Sequence, residues 1–196
     1  MKKVLRLILG LALFSFALTI LYLSMRAIMA IGGSCAEGGP YVIQNHCPGG
    51  TGYLTPLSIF VMMGGAVLYF SGLVKNSPNW GVLFWSALFL SLGWNFLDFS
   101  IHPPSGSGID IGWIICAIMF GLMGIAPLPF LAEGLDAGEI TKNTTWSQIL
   151  FGQNKKDPQN PGISTKFYES QIFLLISHLI AVSGGMYLGY LVFMNS

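Results

Sequence analysis

Five residues capable of polar chemistry stand among strongly apolar neighbours: Arg26, Asn95, Asp98, His102 and Asp110. A charge inside an apolar stretch is costly and marks a functional candidate unless a partner neutralises it. Asn95 and Asp98 are spaced i, i+3, and Asp98 and His102 i, i+4, so the three share one helix face. A carboxylate and an imidazole at that spacing are able to begin a metal site, with Asp110 or His46 as further ligands. No second clustered pair such as His-x-x-x-His accompanies them, so no metal site is expected. Arg26 has three readings. It pairs with Asp98, Asp110 or both, or these side chains reach separately for headgroups and water, or together they form a substrate or ion site.

His178 stands alone near the middle of another apolar run. Its ordinary pKa near neutrality suits a proton relay, but proton-coupled transporters carry more than one ionisable group at that depth. The expectation is a neutral histidine hydrogen-bonded to a neighbouring helix. There is no nucleotide-binding loop, no nucleophile motif and no catalytic carboxylate pair. No catalytic residue and no cofactor are therefore assigned.

The elements that position these residues follow from composition. Apolar types make up 53% of the 196 residues and charged types 9%, against roughly a quarter charged in ordinary globular proteins. The mean hydropathy of +0.66 agrees. Apolar runs at about 7–31, 54–74, 80–99, 109–131 and 167–194 each approach the roughly 20 residues that cross a bilayer. Joints rich in proline, glycine, serine and asparagine separate them, at Lys75 to Asn79 and at His102 to Gly108. The chain reads as one all-α membrane domain over 1–196, a polytopic bundle of five transmembrane helices. The first run, preceded by Lys2, Lys3 and Arg6, is longer than a signal-peptide core and lacks a good cleavage site, so it is expected to stay as a span.

With the N-terminus inside, the inner segments hold Lys2, Lys3, Arg6, Lys75, Lys142, Lys155, Lys156 and Lys166, eight of the nine basic residues. Only Arg26 falls toward the outside. The excess of cytoplasmic positive charge thus places the N-terminus inside and the C-terminus outside, in a multi-pass plasma-membrane topology. Cys35 and Cys47 then lie together in the outer loop, 32–53, where an oxidising compartment and a Gly/Pro-rich spacer favour a disulfide. Cys116 lies within the fourth span.

That loop reads Cys35, then Gly38-Gly39-Pro40-Tyr41, then Cys47-Pro48 shortly before the next span. It resembles the outer loop of small multi-span membrane proteins of bacteria to which no function is assigned. The resemblance covers about fifteen residues and implies a bacterial cytoplasmic membrane. The loop lacks a Cys-x-x-Cys motif, which argues against a thiol–disulfide oxidoreductase.

Small residues allow close helix contact in lipid. They recur as Gly185-x-x-x-Gly189 in the fifth run, Ala117-x-x-x-Gly121 with Gly124 in the fourth, and Gly64, Gly65 and Gly72 in the second. On the inner side, 132–166 contains Thr145 to Phe151. There Trp146, Ile149 and Leu150 share one face, as in a short helix lying on headgroups. A polar linker follows. The expected partners are the lipid bilayer and a membrane protein or a second copy, with no nucleic acid. The function expected is that of a non-catalytic membrane subunit, scaffold or accessory protein of a cell-envelope complex. A small-solute or ion transporter using Arg26, Asp98 and Asp110 is the alternative, and a membrane-embedded enzyme with an outer-face site comes after it.

Overall fold

The computed structural model describes residues 1–32, 35, 46–74, 80–103, 109, 111–126, 128 and 171–196. Among these residues the chain is all-helical, with five helices and no strand. They are α1 (Lys2–Ala30), α2 (Thr51–Ser71), α3 (Val82–Ile101), α4 (Ile111–Ile125) and α5 (Gln171–Met194). Three are long and apolar enough to cross a membrane: α1, α2, and α5 from Ile172 onward. An apolar chain in lipid has no water to satisfy its backbone, and a helix satisfies every interior N–H and C=O internally. The long runs of leucine, isoleucine and phenylalanine in α1, α2 and α5 suggest a membrane protein on that ground.

Helix directions alternate. Gly10 meets Tyr69 and Gly65, while Gly72 meets Leu7 and Lys3, so α2 runs antiparallel to α1. Phe14 stacks on Phe84, and Arg26 reaches Asp98, so α3 runs parallel to α1. Ser86 and Trp85 bond to carbonyls at Gly124 and Met123 of α4, and Gly93 lies against Gly121, which makes α4 antiparallel to α3. Ser15 meets Ala181, and Phe16 meets Gly189, so α5 is parallel to α1. One end of the bundle therefore carries Lys2, Lys3 and Arg6, and the opposite end carries the disulfide. They are called below the basic end and the disulfide end.

α1 is the central helix. Its 29 residues extend about 44 Å at 1.5 Å per residue, longer than a ~30 Å hydrocarbon core. Its buried positions Leu7, Leu11, Phe14, Ala17 and Leu21 form the core with Met62 and Tyr69 of α2, Phe84 of α3 and Ala181 of α5. Lipid chains are as apolar as leucine, so burial alone does not join these helices. Close van der Waals packing does. Gly10 and Gly65 supply it between α1 and α2. A Cβ on Gly65 would stand 2.8 Å from the Phe14 nitrogen and 2.9 Å from the Gly10 oxygen. Gly185 and Gly189 do the same between α5 and α1. Gly64, Gly121 and Gly184 face open space.

α2 begins at Thr51, earlier than the expected start at 54. The reason lies in the turn before it. Gly50 adopts a left-handed φ of 64°, and the Thr51 N–H and hydroxyl both donate to the Pro48 carbonyl, at 3.0 and 2.7 Å. Left-handed backbone suits glycine because it has no Cβ to clash. A disulfide links Cys35 to Cys47, twelve positions apart in sequence, with Cα atoms 5.0 Å apart. It ties the exit of α1 to the entry of α2. A loop of that size removes about 3 kcal/mol of chain entropy from the unfolded state in the loop-closure treatment. The rest of the outer loop from Ala36 to Asn45, the joint at Lys75, and the inner segment 132–166 lie outside the described residues.

Candidate functional site

α1 and α3 deliver the polar cluster. Arg26 sits one turn before the end of α1, on the face toward α3. Its Nη2 lies 2.8 Å from Oδ2 of Asp98, and its Nη1 donates to Oδ1 of Asn95 at 3.3 Å. The Asn95 amide in turn donates to the Tyr22 carbonyl of α1 at 3.4 Å. The guanidinium carbon also stands 4.9 Å from the centre of the Phe99 ring, within cation–π range. Asn95 is fully buried, whereas the Arg26 and Asp98 side chains are 34% and 29% exposed. The planar fork of arginine thus serves two acceptors one helical turn apart. Lysine, a single point charge, does not offer that geometry.

His102 closes α3. Its N–H donates to the Asp98 carbonyl at 2.9 Å, and Pro103, which follows, disfavours a further helical turn. Its Nδ1 lies 3.5 Å from Oδ1 of Asp98, with the imidazole mostly exposed. The structure therefore brings Arg26, Asn95, Asp98 and His102 together at the disulfide end. Asp110 lies outside the described residues. Cys35 and Cys47 are bonded to each other, and His46 beside Cys47 is exposed. Among the described residues no three His, Cys, Asp or Glu side chains converge as metal ligands. Among the described residues the cluster is a network of mutually satisfied groups: Arg26 faces Asp98, and both functional atoms of the Asn95 amide are bonded.

His178 is not with them. It is fully buried and packs edge-on against Trp80 and Tyr69, with ring centres 5.2 and 5.9 Å away. Tyr69 is in the last turn of α2 and Trp80 just precedes α3, so His178 lies toward the basic end rather than at mid-depth. Its depth is set by these neighbours, not by its place in its own apolar run. Its bond also differs from the expected link to a neighbouring helix. Nδ1 lies 2.6 Å from the Leu174 carbonyl of its own helix. A carbonyl only accepts, so Nδ1 carries the hydrogen, and Nε2 is left as a buried acceptor without a partner among the described residues.

The ring is therefore chiefly a packing element. His178→Phe, which keeps the ring and removes the orphaned nitrogen, is expected to hold stability within about 1.5 kcal/mol. His178→Ala is expected to cost about 2–4 kcal/mol, as large-to-small core changes do. Reversible unfolding in mixed micelles measures both. Equal, large losses for the two variants would contradict a packing role.

Two features escape a reading of sequence alone. The Tyr69 hydroxyl accepts the Trp80 backbone N–H at 2.9 Å, joining α2 to the approach to α3. Gly10, the one glycine of α1, closes tightly on Tyr69 and Gly65, yet α1 has no second small residue four positions away to flag it. A buried tyrosine near the end of an apolar run is the one signal that points to the first. Beyond the molecule itself, no protein-family model, no curated protein and no solved structure matches the chain.

Proposed function

We propose that the chain is a non-catalytic integral membrane subunit or scaffold of a bacterial cell-envelope complex. In this reading it crosses the cytoplasmic membrane five times, N-terminus inside and C-terminus outside. The observation that carries the reading is the closure of the Arg26 network. Arg26, Asn95 and Asp98 satisfy one another and the Tyr22 carbonyl between α1 and α3. Groups held in this way fasten helices. A carboxylate facing a guanidinium is a poor proton acceptor and a poor ligand for a second cation. The alternating helix directions support the odd number of crossings, and the basic residues of the amino end support the orientation. Gly64, Gly121 and Gly184, which have open space before them, support close approach by a further helix.

The test is affinity capture of the tagged protein at native expression in mild detergent, followed by mass spectrometry. A stoichiometric membrane-protein partner is the expected result. Recovery of the chain alone, or only with copies of itself, would count against the subunit reading.

A further inference from the structure

α1 and α3 touch at two levels and part between them. Near the basic end Phe14 and Phe84 stack with ring centres 3.8 Å apart. Near the disulfide end Arg26 and Asn95 close the contact. Between these pins the α3 wall is small, Ala87 and Ser91, and α5 stands off as the third wall with Met186 and Tyr190. The result is an apolar groove of about 700 Å³, open on one side. On α1 it runs from Leu11 to Leu23, a length of about 18 Å at 1.5 Å per residue.

The serine and threonine hydroxyls along this groove offer a ligand little. Ser15 donates to the Ala12 and Ala181 carbonyls, Thr19 to the Ser15 carbonyl and Ser91 to the Leu88 carbonyl. Between the tyrosines the walls are thus effectively hydrocarbon, which suits a hydrocarbon occupant. The groove's length then fits one occupant in particular. One leaflet of a ~30 Å core has chains of roughly 15 Å, close to the groove's length.

We infer that the groove between α1, α3 and α5 is a lipid-binding site that holds the hydrocarbon chain of a membrane lipid. Stacked Phe14 and Phe84 form its floor. At the basic end its wall is Trp80, held by the bond from its N–H to Tyr69 and by its ring contact with His178. At the other end stand the rings of Tyr22, Tyr187 and Tyr190, amphipathic groups of the kind that settle at headgroup level. The bound chain completes the packing of α1 against α3 where side chains leave it unfinished.

The test uses the full chain with the photoreactive residue benzoylphenylalanine in place of Leu83, inside the groove, and in a second protein in place of Val67, on the outer face of α2. Both proteins are extracted, exchanged into lipid-free detergent, irradiated and weighed intact. Lipid that merely surrounds the bundle washes away, and lipid held in the groove remains. The expected result is a lipid adduct about tenfold more abundant at 83 than at 67, the ratio given by a preference of about 1.4 kcal/mol. An Ala87→Phe change in the position-83 protein is expected to abolish that adduct by filling the groove. Equal lipid adducts at both positions, a cross-link from 83 to protein (this chain or another), or no adduct at 83 would each overturn the inference. The comparison of 83 with 67 stands even if Ala87→Phe does not fold.

Discussion

Gly65→Leu is expected to separate α2 from α1 and to cost the protein most of its stability. A Cβ at that position meets backbone on both sides, 2.8 Å from the Phe14 nitrogen and 2.9 Å from the Gly10 oxygen. Backbone atoms do not rotate away as a flexible side chain does, so the helices must move apart. That loosens the packing of Tyr69 and Met62 on Leu7, Leu11 and Phe14. Overpacking a tight core costs about 1–3 kcal/mol, and a leucine here adds three further carbons to an already closed contact. A loss at or above the top of that range is the prediction. Gly64→Leu, one position away with nothing within 4 Å of its Cβ, is the control and is expected to change stability little. Thermal or denaturant unfolding in micelles compares the two. Similar losses for both variants would contradict the helix interface described here.

The second large effect concerns Arg26. Arg26→Ala is expected to cost about 1–3 kcal/mol, the range for leaving a buried polar group short of a partner. The Coulombic part is small. With side chains 34% and 29% exposed, the pair is screened and is worth about 1 kcal/mol or less. The greater share comes from Asn95, which is fully buried and accepts from Arg26. Interhelical hydrogen bonds in membranes average only about 0.6 kcal/mol, which pulls the expected value toward the lower half of the range. Asp98→Ala leaves the Arg26–Asn95 bond in place, and the long arginine is free to reach toward headgroups. It is therefore expected to cost less than Arg26→Ala. The same unfolding measurement ranks the variants, and the reverse order would mean that Asn95 is not held through Arg26.

Much of this architecture is legible in the sequence because long apolar runs obey a single strong rule. An apolar run of sufficient length becomes a helix, and α1, α2 and α5 lie where their runs predict to within a few residues. The proximity of Arg26 and Asp98 follows from counting. Each falls about one turn from the disulfide-end terminus of its helix, so antiparallel and parallel neighbours bring them to one level. The rotation of a helix about its axis is not legible in that way. The bond from Asn95 to the Tyr22 carbonyl depends on it, because a backbone carbonyl has no signature in the sequence.

Gly10 escapes notice for a related reason. Its partner, Gly65, is on another helix, and a search for small residues four apart within one helix does not find it. The depth of His178 is set by Tyr69 and Trp80, not by the centre of its own apolar run. The groove between α1, α3 and α5 arises from what is missing at Ala87 and Ser91, and small residues read equally well as close packing. Asp110 and the 132–166 segment, with its amphipathic stretch, lie outside the described residues.

If Arg26 and Asp98 exist for each other, their contributions to stability are coupled. A double-mutant cycle measures that directly, with unfolding free energies for the protein, Arg26→Ala, Asp98→Ala and the doubly substituted chain. The double substitution is expected to cost clearly less than the two single losses added together, with a coupling of at least about 0.5 kcal/mol, as for residues in contact. Additive losses would contradict it, and would return the two charges to the status of separate groups free to serve a substrate or an ion.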